Sequence, residues 1–483
     1  MKAVVIGSGI GGIATSIRLA LKGYEVSVLE KNSYPGGKLS SFEIGAYRFD
    51  AGPSLFTMPH YVNELFELAG EEASKFFSYE QVEAACHYWY PDGTQMTAWA
   101  DRDKLIKEFS EKTSINESKL IAHLEHSEKL YDLTHKLFME SPLNKLKTYL
   151  NKEAFRALRS LGSLDLLKTM GEANHQRLKN PKMEQYFNRF ATYNGSNPYQ
   201  TPGVLNVIPH LEHGIGTFFP KGGMVSITNS LVALAERKGV KFEFDTEVNS
   251  IELEKNKVQG LKTNKAYFPA DLIVSNADVY PSYKKLLKKP VPKKVLKSER
   301  SSSAIIFYWG INKEFKNLGL HNIFFSKDYP AEFEAIFKGK TLYEDPTVYV
   351  NISSKFEKRD APEGAENWFV MVNAPANTGQ DWDELISLTR KRTIAKLSAL
   401  LGVNIEKHIE EEDYLDPRKI ELKTSSFQGS LYGSSSNDRM SAFLRHQNES
   451  SDVEGLYFCG GSVHPGGGIP LCLLSAKITA DVI

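Results

Sequence analysis

Residues 1–12 read MKAVVIGSGIGG and residues 24–30 read YEVSVLE. Ala3-Val4-Val5-Ile6 is a short apolar run of the kind buried on both faces of a parallel sheet. Gly7, Gly9 and Gly12 then form G-x-G-x-x-G, and Ile13, Ile17 and Ala20 follow at helical spacing. Gly23 stops that helix, and Val26-Ser27-Val28-Leu29 begins a second strand that ends on Glu30. This order of strand, glycine turn, helix, strand and acid predicts a dinucleotide cradle. Gly7 makes the turn, and Gly9 lets the backbone of Gly7, Ser8, Gly9, Ile10, Gly11 and Gly12 approach a pyrophosphate at the helix N-terminus. Gly12 allows close helix–strand packing, and Glu30 meets ribose hydroxyls, with Lys31 beside it.

The same turn serves nicotinamide and flavin dinucleotides. Here a second glycine turn, Gly36-Gly37-Lys38, follows closely, with Lys38 placed to pair with a phosphate. A second loop beside the ribose and pyrophosphate suits an elongated FAD threaded into the interior better than NAD bound across a crevice.

The length of 483 residues allows two or three domains. A net charge of zero argues against a general nucleic-acid binder. Three cysteines, an odd and sparse set, argue against a disulfide framework and favour a reducing compartment, so a cytoplasmic location is expected. The N-terminal apolar stretch is interrupted by glycines and by Arg18 and Lys22, which argues against a signal peptide. No run of about 18 apolar residues occurs, so contact with a membrane is expected to be peripheral. Cys459, His464 and the Cys86-His87 pair are too isolated for a zinc site, and no metal is expected.

At Tyr47–Pro59, reading YRFDAGPSLFTMP, the chain resembles the bacterial phytoene-desaturase-type carotenoid desaturases, FAD enzymes within the amine-oxidase-like flavoproteins. The resemblance recurs in FPKGGM at 219–224, IVSNAD at 273–278 and the tail LYFCGGSVHPGGGIP at 456–470, in the family's order along nearly the whole chain. It implies an α/β fold: a Rossmann-like FAD-binding domain with a mixed-sheet substrate domain and a helical insert. The expected segments are 1–95, 219–280 and 415–483 for the FAD domain, 96–218 for the insert and 281–414 for the substrate sheet. By the same resemblance Pro53, Ser54 and Leu55 line the flavin from one side, and Gly460, Gly461, Gly468, Ile469, Pro470 and Leu471 from another. Val248 approaches the adenine, Asn276 closes an edge of the site, and Leu431 re-enters the flavin domain. The tail also has its own reading: Pro470 suits the first turn of a helix whose N-terminus stabilises charge on a reduced flavin.

The implied activity is desaturation of a long polyene by hydride transfer to flavin N5, in a dry apolar tunnel. Asp50 and Glu212 are conceivable proton acceptors, although a capping role for Asp50 is preferred. Oxygen or a membrane quinone would take the electrons. The run Ser54–Pro59 is more similar to the hydroxycarotenoid 3,4-desaturase branch than to the phytoene branch, which remains the alternative. A carotenoid isomerase, an FAD amine oxidase and a prenyl-lipid-binding protein without enzyme activity are further readings. Lys284, Lys285, Lys288, Lys289, Lys293, Lys294, Lys297 and Arg300 form a basic stretch, either a solvated face or a patch for an anionic membrane. An amphipathic helix around Leu143–Leu167 is the other expected docking element.

Overall fold

The computed structural model describes residues 1–142, 160–438 and 445–483. Lys2–Ile6, the helix Ile10–Leu21 and Glu25–Leu29 form the expected β-α-β unit. Its two strands sit inside a five-stranded sheet ordered Leu456–Phe458, Leu272–Ser275, Lys2–Ile6, Glu25–Leu29, Lys241–Glu243. Every pairing in it is parallel. Three of the five strands, Lys241–Glu243, Leu272–Ser275 and Leu456–Phe458, therefore come from parts of the chain remote from this unit. Helices Ile10–Leu21, Val225–Arg237 and Ile469–Val482 cover one face, where Ile13, Ile17, Leu231, Leu234 and Leu474 are fully buried. The two ends of the chain thus share one apolar core, and burying each such side chain contributes about 1.5–3 kcal/mol. The antiparallel meander Val248–Glu254, Lys257–Thr263, Tyr267–Pro269 packs on the other face.

A seven-stranded mixed sheet forms the second body, ordered Ile409–Leu415, Ser303–Ile311, Glu366–Ala374, Val348–Asn351, His321–Phe324, Ala84–Trp89, Gln95–Trp99. The last two strands correct the expected boundary at 95: segment 84–99 belongs to the substrate sheet, where Ala84–Trp89 runs parallel to His321–Phe324. The cause is aromatic packing, with Trp89 stacked on Phe324 at 4.7 Å and Tyr88 near Phe325 at 5.8 Å. Strand alternation divides Ser303–Ile311 between two cores. Ile305, Phe307 and Trp309 face one, while Ile306 and Tyr308 face the other and line the central cavity.

The insert contains helices Arg102–Thr113, Glu117–Thr134, Met170–Leu178 and Pro181–Asn188. Most of the proposed docking helix from Leu143 lies outside the described residues. Among the described residues no helix is long and apolar enough to cross a membrane. Arg300 does not belong to the basic surface. It is buried and donates to Asp278 and to Ser430 Oγ, because an unpaired guanidinium could not stay at that depth.

Candidate active site

One cavity of about 750 Å³ runs from the carboxyl ends of the parallel strands to the inner face of the seven-stranded sheet. That is where ligands bind in parallel α/β sheets, outside the strand ends at the point where the strand order reverses. At the first end lie Gly7, Gly9, Ile10, Gly11, Glu30, Lys31, Val248 and Asn276, with Gly36, Gly37 and Lys38 above them. Further along come Pro53, Ser54, Leu55, Leu431, Gly460, Gly461, Gly468, Ile469 and Pro470.

Three expected site residues do not line the cavity. Ser8 lies behind Glu30 and gives its N–H and Oγ to the carboxylate at 2.8 and 2.9 Å. Gly12 packs against the first strand, and a Cβ there would stand 2.2 Å from the Gly7 carbonyl oxygen. Leu471 packs beside Gly466 and the adjoining helical core.

The residues present fit an FAD. Two helices, Ile10–Leu21 and Ile469–Val482, open on the cavity without a side-chain cap or an acid in the first turn. Their free N–H groups and positive dipole ends suit a pyrophosphate at one and a flavin anion at the other. The Glu30 carboxylate is held between Ser8 and the backbone N–H and side-chain amide of Asn32, at the position for ribose hydroxyls. Gly468 adopts φ +107° and nothing stands within 4 Å of a Cβ built on it, so the backbone faces open cavity. Lys38 is half-buried and gives its ammonium only to the carbonyls of Ser430 and Leu431, with no carboxylate in ion-pairing distance among the described residues. Desolvation lowers its pKa to about 8, the condition of a cation that lacks an anion.

Asn276 has a structural task that the sequence conceals. Its amide donates to the Cys459 carbonyl at 3.2 Å, and its side chain fills the gap between the first glycine turn and Gly460. A Cβ on Gly9 would meet Asn276 Oδ1 at 2.6 Å, and one on Gly460 would meet Nδ2 at 2.3 Å. The glycines of both chain ends are therefore shaped partly to fit this asparagine.

Asp50 is excluded as a proton acceptor. It accepts from the N–H groups of Met224 and Val225 at the start of helix Val225–Arg237, pairs with Arg48 at 2.8 Å, and does not line the cavity. It does cap, as preferred, but caps this remote helix rather than the turn before Gly52. Glu212 does line the cavity. Burial drives its pKa upward, yet Arg189 and His213 outweigh that and hold it below the usual glutamate range.

The far end is a chamber walled by Ile306, Ile323, Phe369 and Met371, and by a polar group whose members lie far apart along the chain. Arg189 and Tyr193 come from the turn Arg189–Asn194, Glu212 from the turn Leu211–Ile215, His321 and Tyr349 from two adjacent sheet strands. Tyr349 links this wall to the Pro53–Leu55 segment, since its hydroxyl lies 2.8 Å from Ser54 Oγ and 2.7 Å from His321 Nδ1. Of these residues only Glu212 stands out in the sequence, as an acid close to the FPKGGM block, and nothing along the chain marks the other four.

The family described as flavin containing amine oxidoreductase matches residues 10–483. A 1-hydroxycarotenoid 3,4-desaturase of Flavobacterium sp. is 50% identical over 100% of this chain and 99% of its own length. A 4,4'-diapolycopene oxygenase of Methylomonas sp. is 32% identical over 100% and 98%. Among solved structures, an oxidoreductase from Methanosarcina mazei superposes with a TM-score of 0.67 at 14% identity, covering 100% of both chains. Cyclohexylamine oxidase from Brevibacterium oxydans gives 0.63 at 14% identity, over 100% of this chain and 98% of that one. The chain belongs to the flavin containing amine oxidoreductase family, in its carotenoid-desaturase branch, and its cofactor is FAD.

Proposed function

We propose that this protein is a carotenoid 3,4-desaturase that acts on a 1-hydroxylated acyclic polyene. The full-length 50% identity to a 1-hydroxycarotenoid 3,4-desaturase carries this reading. The continuous cavity supports it, joining a dinucleotide cradle to an apolar chamber. When bound, FAD supplies the two-electron acceptor for removal of a hydride from an allylic carbon. Gly7–Gly12, Glu30 and Lys38 would hold its phosphate and ribose parts, while the 53–55 and 468–470 segments would flank its ring. The side chains of the chamber do the rest. Ile306, Ile323, Phe369 and Met371 orient the hydrocarbon and exclude water from the carbons that lose hydrogen.

Anaerobic mixing of the purified yellow protein with a 1-hydroxycarotenoid should bleach the flavin colour in proportion to the double bonds formed. Readmitted air or an added quinone should restore it and identify the electron acceptor. Isomerised product with no bleaching would point to the isomerase reading, and no change with any carotenoid would refute the proposal.

The substrate is dissolved in lipid, and we assign the protein to a membrane surface on the cytoplasmic side. Leu167 of the insert is 80% exposed and Leu296, amid the lysines, is 58% exposed. Lys285 borders the dinucleotide end of the cavity near Lys31, so the lysines assist docking rather than line the substrate chamber. Sedimentation with anionic vesicles is expected to fall in high salt and after Lys→Gln changes at 284, 285, 288, 293 and 297. Unchanged binding would refute the electrostatic part.

A further inference from the structure

A chamber for a pure hydrocarbon has no use for an ion pair. Arg189 and Glu212 nevertheless line this one, with side chains only 8% and 2% exposed. Ions taken to that depth cost several kcal/mol each unless their hydrogen bonds are complete. Here they are incomplete. One guanidinium nitrogen reaches both Glu212 oxygens at 3.3 Å, well beyond the 2.7–2.9 Å usual for charge-assisted bonds. Arg189 Nε has no partner. Tyr193 donates to Glu212 Oε2, which leaves Oε1 with the long arginine contact alone.

His321 adds a second open group. Its Nδ1 accepts from the Tyr349 hydroxyl at 2.7 Å and from Asn351 Nδ2 at 3.2 Å, so the ring hydrogen is assigned to Nε2. That Nε2 is buried and has no partner. Burial lowers the pKa of His321 to about 4, so the ring is neutral near pH 7. Donors without acceptors and an acceptor with spare capacity therefore share one wall of the chamber that also presents Ile306, Ile323, Phe369 and Met371. A small neutral alcohol matches that inventory: it gives one hydrogen and accepts one or two.

Resting on the desaturase reading above, we propose that the buried Arg189–Glu212 pair, with Tyr193 and His321, is the hydroxyl-recognition subsite. It takes the C1 tertiary alcohol of the substrate and selects it over the unsubstituted chain end. The alcohol donates to Glu212 and accepts from Arg189 or His321. Its position is apt, because C1 stands two bonds from C3, so the hydroxyl must be held close to the reacting carbons. The chain Ser54–Tyr349–His321 runs from the Pro53–Leu55 segment to this wall. An unsubstituted end would leave the same groups unpaired, and sites of that kind reject such analogues strongly.

The test compares kcat/KM of the flavin-loaded protein for a 1-hydroxylated acyclic carotenoid and for its 1-deoxy counterpart. The wild type is expected to favour the alcohol by about 10²-fold, the range for a hydrogen bond to charged groups. The double variant Arg189→Met/Glu212→Leu removes both charges at similar volume and should erase most of that ratio, chiefly through KM for the alcohol. If it fails to hold flavin, Tyr193→Phe and His321→Phe provide the same readout, each lowering the ratio about tenfold. A wild type that oxidises neither carotenoid refutes the function itself. One that oxidises both equally refutes the selection and leaves the desaturase standing. Variants that keep the wild-type ratio would move the hydroxyl site elsewhere. A Glu212→Gln enzyme that loses kcat equally on both substrates would make Glu212 the proton acceptor and overturn the proposal.

Discussion

Gly12→Ala should purify without colour, its flavin content more than about tenfold below that of the wild type. The new Cβ would stand 2.2 Å from the Gly7 carbonyl oxygen and 3.2 Å from the Asn276 side chain. The first contact is with backbone of the opening turn, which cannot rotate away. Relief requires helix Ile10–Leu21 to lift off the sheet by an ångström or more. That helix buries Ile13, Ala14, Ile17 and Leu19 completely, so lifting it opens the core shared with the C-terminal helix. The N–H groups expected to meet the pyrophosphate move with it. Gly23→Ala is the matching control. Gly23 ends the same helix at φ +88° with nothing within 4 Å, so alanine there costs only the local strain of about 1–2 kcal/mol. A yellow Gly12→Ala protein with wild-type FAD affinity would refute the close-packing role.

Acid should unfold the protein steeply between about pH 6 and pH 4.5. Burial lowers the pKa of His123 to about 3 and those of His213, His321 and His464 to about 4. His123 has no hydrogen-bond partner on either ring nitrogen and lies against Phe187 at 4.2 Å. Above the ordinary imidazole value of 6.5, both folded and unfolded states hold these rings neutral, and their contribution to stability is whole. As pH falls below it, the unfolded chain binds protons that the folded chain refuses until about pH 4. Each histidine then removes on the order of 1 kcal/mol per pH unit, so the four remove several kcal/mol by pH 5. That is a large part of a typical total of about 5–15 kcal/mol. Asp50, Asp360 and Glu332, whose pKa values burial raises, act in the opposite direction at lower pH and soften the fall. Melting temperatures of the holoprotein at pH 8, 7, 6 and 5 would measure it. His123→Leu should flatten the acid limb by about a quarter. A melting temperature unchanged from pH 7 to pH 5 would rule the mechanism out.

The two ends of the chain were legible because their signals are local. Gly7, Gly9 and Gly12 stand between a strand and a helix only a few residues away, and Glu30 ends the next strand. Gly468 and Pro470 likewise announce the helix that follows them. The tertiary structure decided the matters that depend on distant partners. Sheet membership of Ala84–Trp89 is one, since a short, mostly apolar run does not name the strand it will pair with, and here that strand is His321–Phe324. The task of Asp50 is another: two backbone N–H groups 174 and 175 residues away claim its carboxylate.

The chamber wall is the clearest case. Arg189, Glu212, His321 and Tyr349 show no motif along the chain, and each looks ordinary where it stands. They acquire a shared purpose only where two turns of the insert meet the inner face of the sheet. Backbone geometry repeats every two or 3.6 residues and so can be read locally. Desolvation of a polar group depends on everything packed around it, and no short stretch of sequence contains that information.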